Sequence, residues 1–226
     1  MIDLITAALF FVGTHIGIAT PPLRSEVIAR VGEAIYRLLY SLISIVALVW
    51  LIMAYRAAPM LPLWTSGAFG AWLALLVMPV ASLLIVTAVV QPNPTAVGQA
   101  PDPDAPEPAR GMLRVTRHPL MWGIALWAGA HLLANPDLAS LVFFGALGAL
   151  ALGGAAAQDW RMSRASRPGL GVFVQRTSFV PFMAIVEGRQ QLVWSEIGWP
   201  RLGLALVLVA ALLLAHPWLF GVSAWP

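Results

Sequence analysis

Long apolar runs separated by short polar breaks dominate the chain, and their length sets the class of fold. An apolar stretch over 4–19 comes first, with Asp3 as its only early charge. A secretory signal would carry Lys or Arg there and a small-residue cleavage site after it, so this stretch reads as a retained membrane helix. Pro21-Pro22 stops it. Ser25 is placed to cap a second helix over 26–55. Its first turns carry Glu26, Arg30, Glu33 and Arg37, and its apolar part starts near Leu38. A third span covers 67–90. A fourth opens at Pro119, a favoured first helical residue, and ends at the turn Asn135-Pro136-Asp137. A fifth runs over 138–158, with Gly145, Gly148, Gly153, Gly154 and several alanines, small residues that let membrane helices approach closely. A sixth covers 202–220.

Two stretches break this pattern. Residues 91–110, QPNPTAVGQAPDPDAPEPAR, hold six prolines and three acids with almost no large apolar residue. They read as a flexible solvated loop rather than a metal site. Residues 159–199 mix arginines with apolar pieces and with Trp194 and Trp199, the composition of an interfacial segment. The expected architecture is all-α: a single polytopic membrane domain over 1–226, about six transmembrane helices, both termini periplasmic.

Composition agrees. Of 226 residues, 60% are hydrophobic and 10% charged, against roughly 45–50% and about 25% in soluble chains. Cysteine is absent, which excludes disulfides, thiolate catalysis and cysteine-ligated metal. All 13 basic residues are arginine. Arg24, Arg30, Arg37, Arg110, Arg114, Arg117, Arg161, Arg164, Arg167, Arg176, Arg189 and Arg201 fall on one face of the expected topology, and Arg56 on the other. The positive-inside rule makes the rich face cytoplasmic and explains the basic pI without nucleic acid. The location expected is a bacterial inner (cytoplasmic) membrane, crossed several times, with the lipid bilayer as the surrounding partner.

Ionisable groups inside spans are functional candidates. His15 lies in Gly13-Thr14-His15-Ile16-Gly17, where the two glycines leave one side of the helix open to a flat group or another backbone. His131 lies in Trp127-Ala128-Gly129-Ala130-His131, with Ala128 and Ala134 leaving space on its face. For both, an interhelical hydrogen bond is the structural alternative. His118, in Arg117-His118-Pro119, sits at a helix start whose free N–H groups favour a propionate, phosphate or carboxylate; lipid headgroups are the alternative. His216 precedes Pro217 near the end of the last span, where a capping role is expected, with metal ligation as an alternative. Inward-facing histidines, no cysteine and few carboxylates suit haem better than zinc. A bis-histidine haem needs two imidazoles, an apolar pocket and arginines for its propionates. Gly169-Leu170-Gly171 is not a dinucleotide fingerprint.

Several segments resemble one family: GTHIGIATPPLR (13–24), VGEAIYRLLYSLISIVALVW (31–50) with YRAAP (55–59), RVTRHPLMWGIALWAGAHLLANPDLAS (114–140), and TSFVPFMAI (177–185) with HPWLFGVS (216–223). Together they resemble NnrU membrane proteins and their relatives, the 15-cis-zeta-carotene isomerases. The resemblance implies a link to nitrite and nitric oxide reduction in denitrifying bacteria and, through the isomerases, haem b. It makes His15 and His131 the iron ligands, with Arg24, Arg114, Arg117 and His118 available to anionic groups. The isomerases carry a cysteine where this chain has Ala128, which removes a thiolate-switched ligation. Depth along the spans separates His15 from His131 by roughly 12 Å at ~1.5 Å per residue; by depth alone His15 pairs with His118 and His131 with His216. Arg117-His118-Pro119-x-x-x-Gly123 also resembles the R-H-P motif of membrane methyltransferases that use S-adenosylmethionine, without their paired glutamates. The functions in view are therefore a haem protein of nitrogen-oxide metabolism, with a nitrogen-oxide reductase or a hydrophobic small molecule as partner; a haem-dependent cis-polyene isomerase; a methyltransferase-like protein; and a non-enzymatic assembly factor.

Overall fold

The computed structural model describes all residues except 19–20, 96–98, 100–101, 103–106, 166–167 and 226. Much of the middle of the expected proline-rich loop therefore lies outside the described residues, as does Arg167. Regular structure among the described residues is helical, apart from one isolated bridge between Pro62 and Asp137. In order the helices are α1 (Ile2–Ile18), α2 (Pro21–Val31), α3 (Glu33–Ala57), α4 (Gly67–Val90), a 3-10 turn (Gly111–Arg114), α5 (Pro119–Ala134), α6 (Leu138–Arg164), α7 (Leu170–Arg176), α8 (Met183–Val186), α9 (Trp194–Ile197) and α10 (Trp199–Phe220).

Among the described residues, α3, α4, α6 and α10 are long and apolar enough to cross a membrane, or five spans exist if α1 and α2, bent 72° apart, make one broken span. Six were expected, and the difference lies in α5 and in α1, whose 17 residues count toward a span only together with α2. α5 is apolar but has only 16 residues, about 24 Å at 1.5 Å per residue, against a hydrocarbon core of about 30 Å. The expected 26–55 helix is broken at Gly32, whose φ of 83° an L-residue rarely adopts. α2 starts at Pro21 and Ser25 falls inside it. Pro21 and Pro22 stand in its first turn, where a missing N–H costs nothing. The fifth helix also runs past residue 158 to Arg164, which brings Asp159 onto α6.

The chain forms two compact units, residues 1–70 with 128–150, and residues 71–127 with 151–226. In the first, Leu4, Ala7, Ala8 and Phe11 form one face of α1, and Ala47, Leu51 and Ala54 one face of α3; all are buried. Their i, i+3/i+4, i+7 spacing and small size let α1 and α3 pack closely. Trp50 donates to Asp3 at 3.1 Å, and the Tyr36 hydroxyl to the Ile18 carbonyl at 3.1 Å. The α3–α4 and α5–α6 connections are tied by Leu63 N–H to Pro136 O at 2.8 Å and Leu138 N–H to Leu61 O at 2.9 Å.

The second unit has two apolar clusters. One joins Leu84, Met112, Val115 and Ile197 with Trp122 and Leu126. The other joins Ala109, Leu113, Leu170 and Phe173. Ser82 on α4 donates to Ala205 O on α10 at 3.1 Å, and Gly123 lies against α4 so closely that a Cβ there would stand 2.9 Å from Ala81 O.

Candidate functional site

For His15, His118 and His216 the partner of one ring nitrogen is described, and for His131 an aromatic neighbour. His15, partly buried on α1, has Nδ1 2.7 Å from the Phe11 carbonyl. A carbonyl only accepts, so Nδ1 carries the hydrogen and Nε2 the lone pair. Metal-bound histidines are oriented by this kind of second bond. The ring sits 4.4 Å from Phe11 and 5.8 Å from Tyr40. Tyr40 stacks with Tyr36 at 6.1 Å, and the Arg24 guanidinium lies 5.5 Å over Tyr36 while pairing with Glu33 at 3.5 Å. A Cβ built at Gly13 or Gly17 would meet nothing within 4 Å. His15 with its donated Nδ1–H, the Tyr40–Tyr36 pair and the half-exposed Arg24 thus form one connected cluster.

His131, near the end of α5, lies 5.1 Å from Phe144. Phe144 meets Phe143 at 5.0 Å and Tyr55 at 5.9 Å. His15 and His131 belong to the same unit, but the ring contacts described for each fall in separate aromatic clusters. Ala128 is 1% exposed; it stands 3.6 Å from a Cβ built at Gly148.

The second unit holds a different arrangement. The conformation before α5 is fixed by Arg117 N–H to Ser178 O at 2.9 Å, Phe182 N–H to Val115 O at 2.8 Å and Thr116 Oγ1 to Phe179 O at 2.9 Å. This frame aims Arg117 and His118 at Asp159 on α6. Arg117 Nη1 reaches both Asp159 oxygens at 3.0 Å, and His118 Nε2 reaches Oδ1 at 2.9 Å. Arg117 Nη2 donates to Val174 O at 3.2 Å and Thr177 O at 2.8 Å. Both side chains are buried, and Arg117 Nε and His118 Nδ1 are left without a partner among the described residues. Burial pushes the His118 pKa below its ordinary 6.5, with Asp159 opposing, so the imidazole is neutral at pH 7.

Next to it, Arg114 grips Glu196 with Nε to Oε2 at 2.7 Å and Nη2 to Oε1 at 2.8 Å. Its Nη1 donates to Gln190 and, at 3.5 Å, to Glu107. Gly111, at φ 58°, turns its N–H onto Glu196 Oε2 at 2.7 Å. The Arg114 hydrogen bond holds the Glu196 carboxyl at about 2, well below the usual carboxylate range. The anions expected at Arg114 and Arg117 are therefore matched by the chain's own carboxylates. Asp159, Glu107, Gln190 and Glu196 were not singled out from the sequence as site residues. The signal for Asp159 was available: it is the only acid between Asp137 and Glu187, and it follows a long apolar run, where a carboxylate needs a partner.

His216 has Nδ1 2.8 Å from Val222 O, the capping arrangement expected beside Pro217. Among the described residues no three His, Asp or Glu side chains gather as a metal site.

These features frame the comparisons with known proteins. The chain is 37% identical over 121 residues to the chloroplastic 15-cis-zeta-carotene isomerase of Arabidopsis thaliana, a match covering 50% of this chain and 32% of that protein. It is 37% identical over 82 residues to the chloroplastic 15-cis-zeta-carotene isomerase of Zea mays, covering 36% and 22%. The matched part is thus about a third or less of these relatives' length. No solved structure matches. The family model described as NnrU protein matches residues 3–224, nearly the whole chain, and the protein, a helical chain with several helices fit to cross a membrane, belongs to the NnrU family.

Proposed function

We propose that the protein binds haem b in a bacterial inner membrane and serves nitrite and nitric oxide metabolism. The observation that carries this reading is His15: its Nδ1–H is tied to the Phe11 carbonyl, which leaves Nε2 as the donor atom of a ring set beside Tyr40. His131 is the proposed second ligand. Arg24, half-exposed in the His15 cluster, is the proposed partner of a propionate. Haem held by both histidines would supply a one-electron redox centre able to pass electrons to nitrogen oxides. Arg114, Arg117 and His118 already have carboxylate partners and hold the loops in place instead. The same pairing weakens a methyltransferase reading, because Arg117 and Glu196 are both consumed within the chain.

Absorption spectra of detergent-purified protein expressed with haem supply test the proposal. A stoichiometric Soret band with sharp reduced α and β bands is expected, lost or shifted in His15→Ala and His131→Ala. A colourless folded protein, or unchanged spectra in both variants, refutes it.

A second reading, a haem-dependent cis-polyene isomerase, is favoured by the identity to the two isomerases over up to half of this chain. Incubation of the reduced protein with a 15-cis polyene and analysis of the product isomers separates the two.

A further inference from the structure

We propose that Tyr55 is a redox-active tyrosine: it gives one electron to a strong one-electron oxidant at the His131 site and passes its phenolic proton through Ser140 to Asp137. The oxidant's chemical class is a metal-centred one-electron oxidant, and only its placement at His131 rests on the haem reading above.

The argument starts from hydrogen-bond direction. Ser140 Oγ lies 2.7 Å from Asp137 Oδ2, and Ser140 N–H donates to Oδ1 at 2.9 Å. An ionised carboxylate only accepts, so the serine hydroxyl is the donor there, and its oxygen is left to accept from the Tyr55 hydroxyl at 2.9 Å. Phenol, hydroxyl and carboxylate thus form a one-way chain. Ser140 is fully buried and Asp137 6% exposed, so the proton has a fixed acceptor rather than bulk water. Tyr36 contrasts with this: its hydroxyl ends on the Ile18 backbone carbonyl, which cannot hold a proton.

The electron has a route as well. The Tyr55 ring stacks on Phe143 at 4.4 Å and 18° and meets Phe144 at 5.9 Å. Phe144 lies 5.1 Å from His131. The step balances. The Tyr55 O–H bond breaks and its proton moves to Ser140 Oγ as Ser140 gives its own proton to Asp137 Oδ2. The products are a neutral phenoxyl radical, an unchanged serine and a protonated Asp137, with the oxidant reduced by one electron.

A purely structural role is the rival explanation, since Asp137 caps α6 and Tyr55 anchors α3 to it. Asp137→Asn separates the two, because asparagine caps a helix as well as aspartate but does not take up the proton. The chain has three tyrosines. The experiment uses the full chain in detergent with Tyr36→Phe and Tyr40→Phe, so that Tyr55 is the only one left. The oxidant is photogenerated tris(bipyridine)ruthenium(III), which needs no haem. Phenoxyl absorption and the radical's electron paramagnetic resonance spectrum are followed in time. The expected result is radical formation independent of buffer-base concentration, slowed at least about a hundredfold by Asp137→Asn, the lower end of what a positioned base contributes. Ser140→Ala, which keeps the backbone N–H to Asp137, slows it in the same way, and Tyr55→Phe abolishes the phenoxyl signal. Equal rates in the parent and Asp137→Asn, or a phenoxyl signal surviving Tyr55→Phe, overturns the inference. Absence of a Soret band would instead remove the haem reading and leave the photochemical result standing.

Discussion

Replacing Asp159 by alanine removes one carboxylate and strands two buried groups. The carboxylate accepts from Arg117 Nη1 on both oxygens at 3.0 Å and from His118 Nε2 at 2.9 Å. After the substitution the guanidinium, 7% exposed, keeps only the Val174 and Thr177 carbonyls. The imidazole keeps a partner on neither nitrogen, since Nδ1 already has none. Breaking a buried pair by removing one member costs about 3–5 kcal/mol. The Asp159 side chain is 26% exposed, and water reaching the stranded arginine places the loss at the lower end, about 3 kcal/mol. For a chain of this size that corresponds to a fall in Tm of roughly 6–12 °C. Thermal unfolding of the detergent-solubilised protein by circular dichroism reads it directly. Glu26→Ala, which breaks the exposed pair with Arg30, serves as the control and should cost no more than about 1 kcal/mol. The double variant Arg117→Met/Asp159→Leu should recover at least half of the loss, because an apolar pair strands no charge. A fall no larger than that of Glu26→Ala would refute the reasoning.

Acid should destabilise the protein in two steps. His118 has a folded pKa below 6.5, so its contribution is full above 6.5 and is lost as pH falls from 6.5 toward the folded value; His118→Gln removes this step from a stability–pH curve. Glu196, lowered from 4.5 to about 2, contributes above 4.5 and loses that contribution as pH falls toward 2; Glu196→Gln flattens this lower step. Gly123→Ala should cost about 1–3 kcal/mol in the same thermal assay, since the added Cβ would stand 2.7 Å from Ile85 Cγ1 and 2.9 Å from a backbone oxygen. Gly145→Ala, where nothing lies within 4 Å, should leave Tm unchanged.

The apolar runs made the class of fold and most helix positions legible. The expected 67–90 span coincides with α4, Pro119 starts α5 as expected, and the expected turn Asn135-Pro136-Asp137 separates α5 from α6. Composition reports burial in lipid, however, and not backbone continuity. The polar turns on either side of Gly32 give no sign of a break, and its positive φ ends α2 there. Nor does an apolar run of 16 residues declare whether it spans. The candidate site was legible residue by residue and not in its pairings. Arg114, Arg117 and His118 read as cations awaiting an anion, because a sequence does not show that Asp159 and Glu196, 42 and 82 positions away, supply it. Gly123 shows the same limit. It stands in a motif that resembles a methyltransferase signature, and its place against Ala81 and Ile85 of α4 is explained by close helix packing.

The histidines show why residue type alone ranks candidates poorly. Three of them have one ring nitrogen bonded within the chain, and the partner decides what the other nitrogen can do. His118 gives Nε2 to a carboxylate and has Nδ1 sealed from solvent; with the ring wholly buried, it has no room for a flat cofactor and acts with Arg117 as a clasp. His216 gives Nδ1 to a carbonyl six residues ahead and closes the end of α10. His15 gives Nδ1 to a carbonyl of its own helix, a bond that costs no tertiary contact and leaves Nε2 as its free donor position. The three are chemically equivalent in the sequence. Of the three, His15 is the one whose fixed tautomer sits in an aromatic cluster with a half-exposed arginine, and this is why the proposed ligation is anchored there and not on the more arginine-rich Arg117-His118-Pro119 motif.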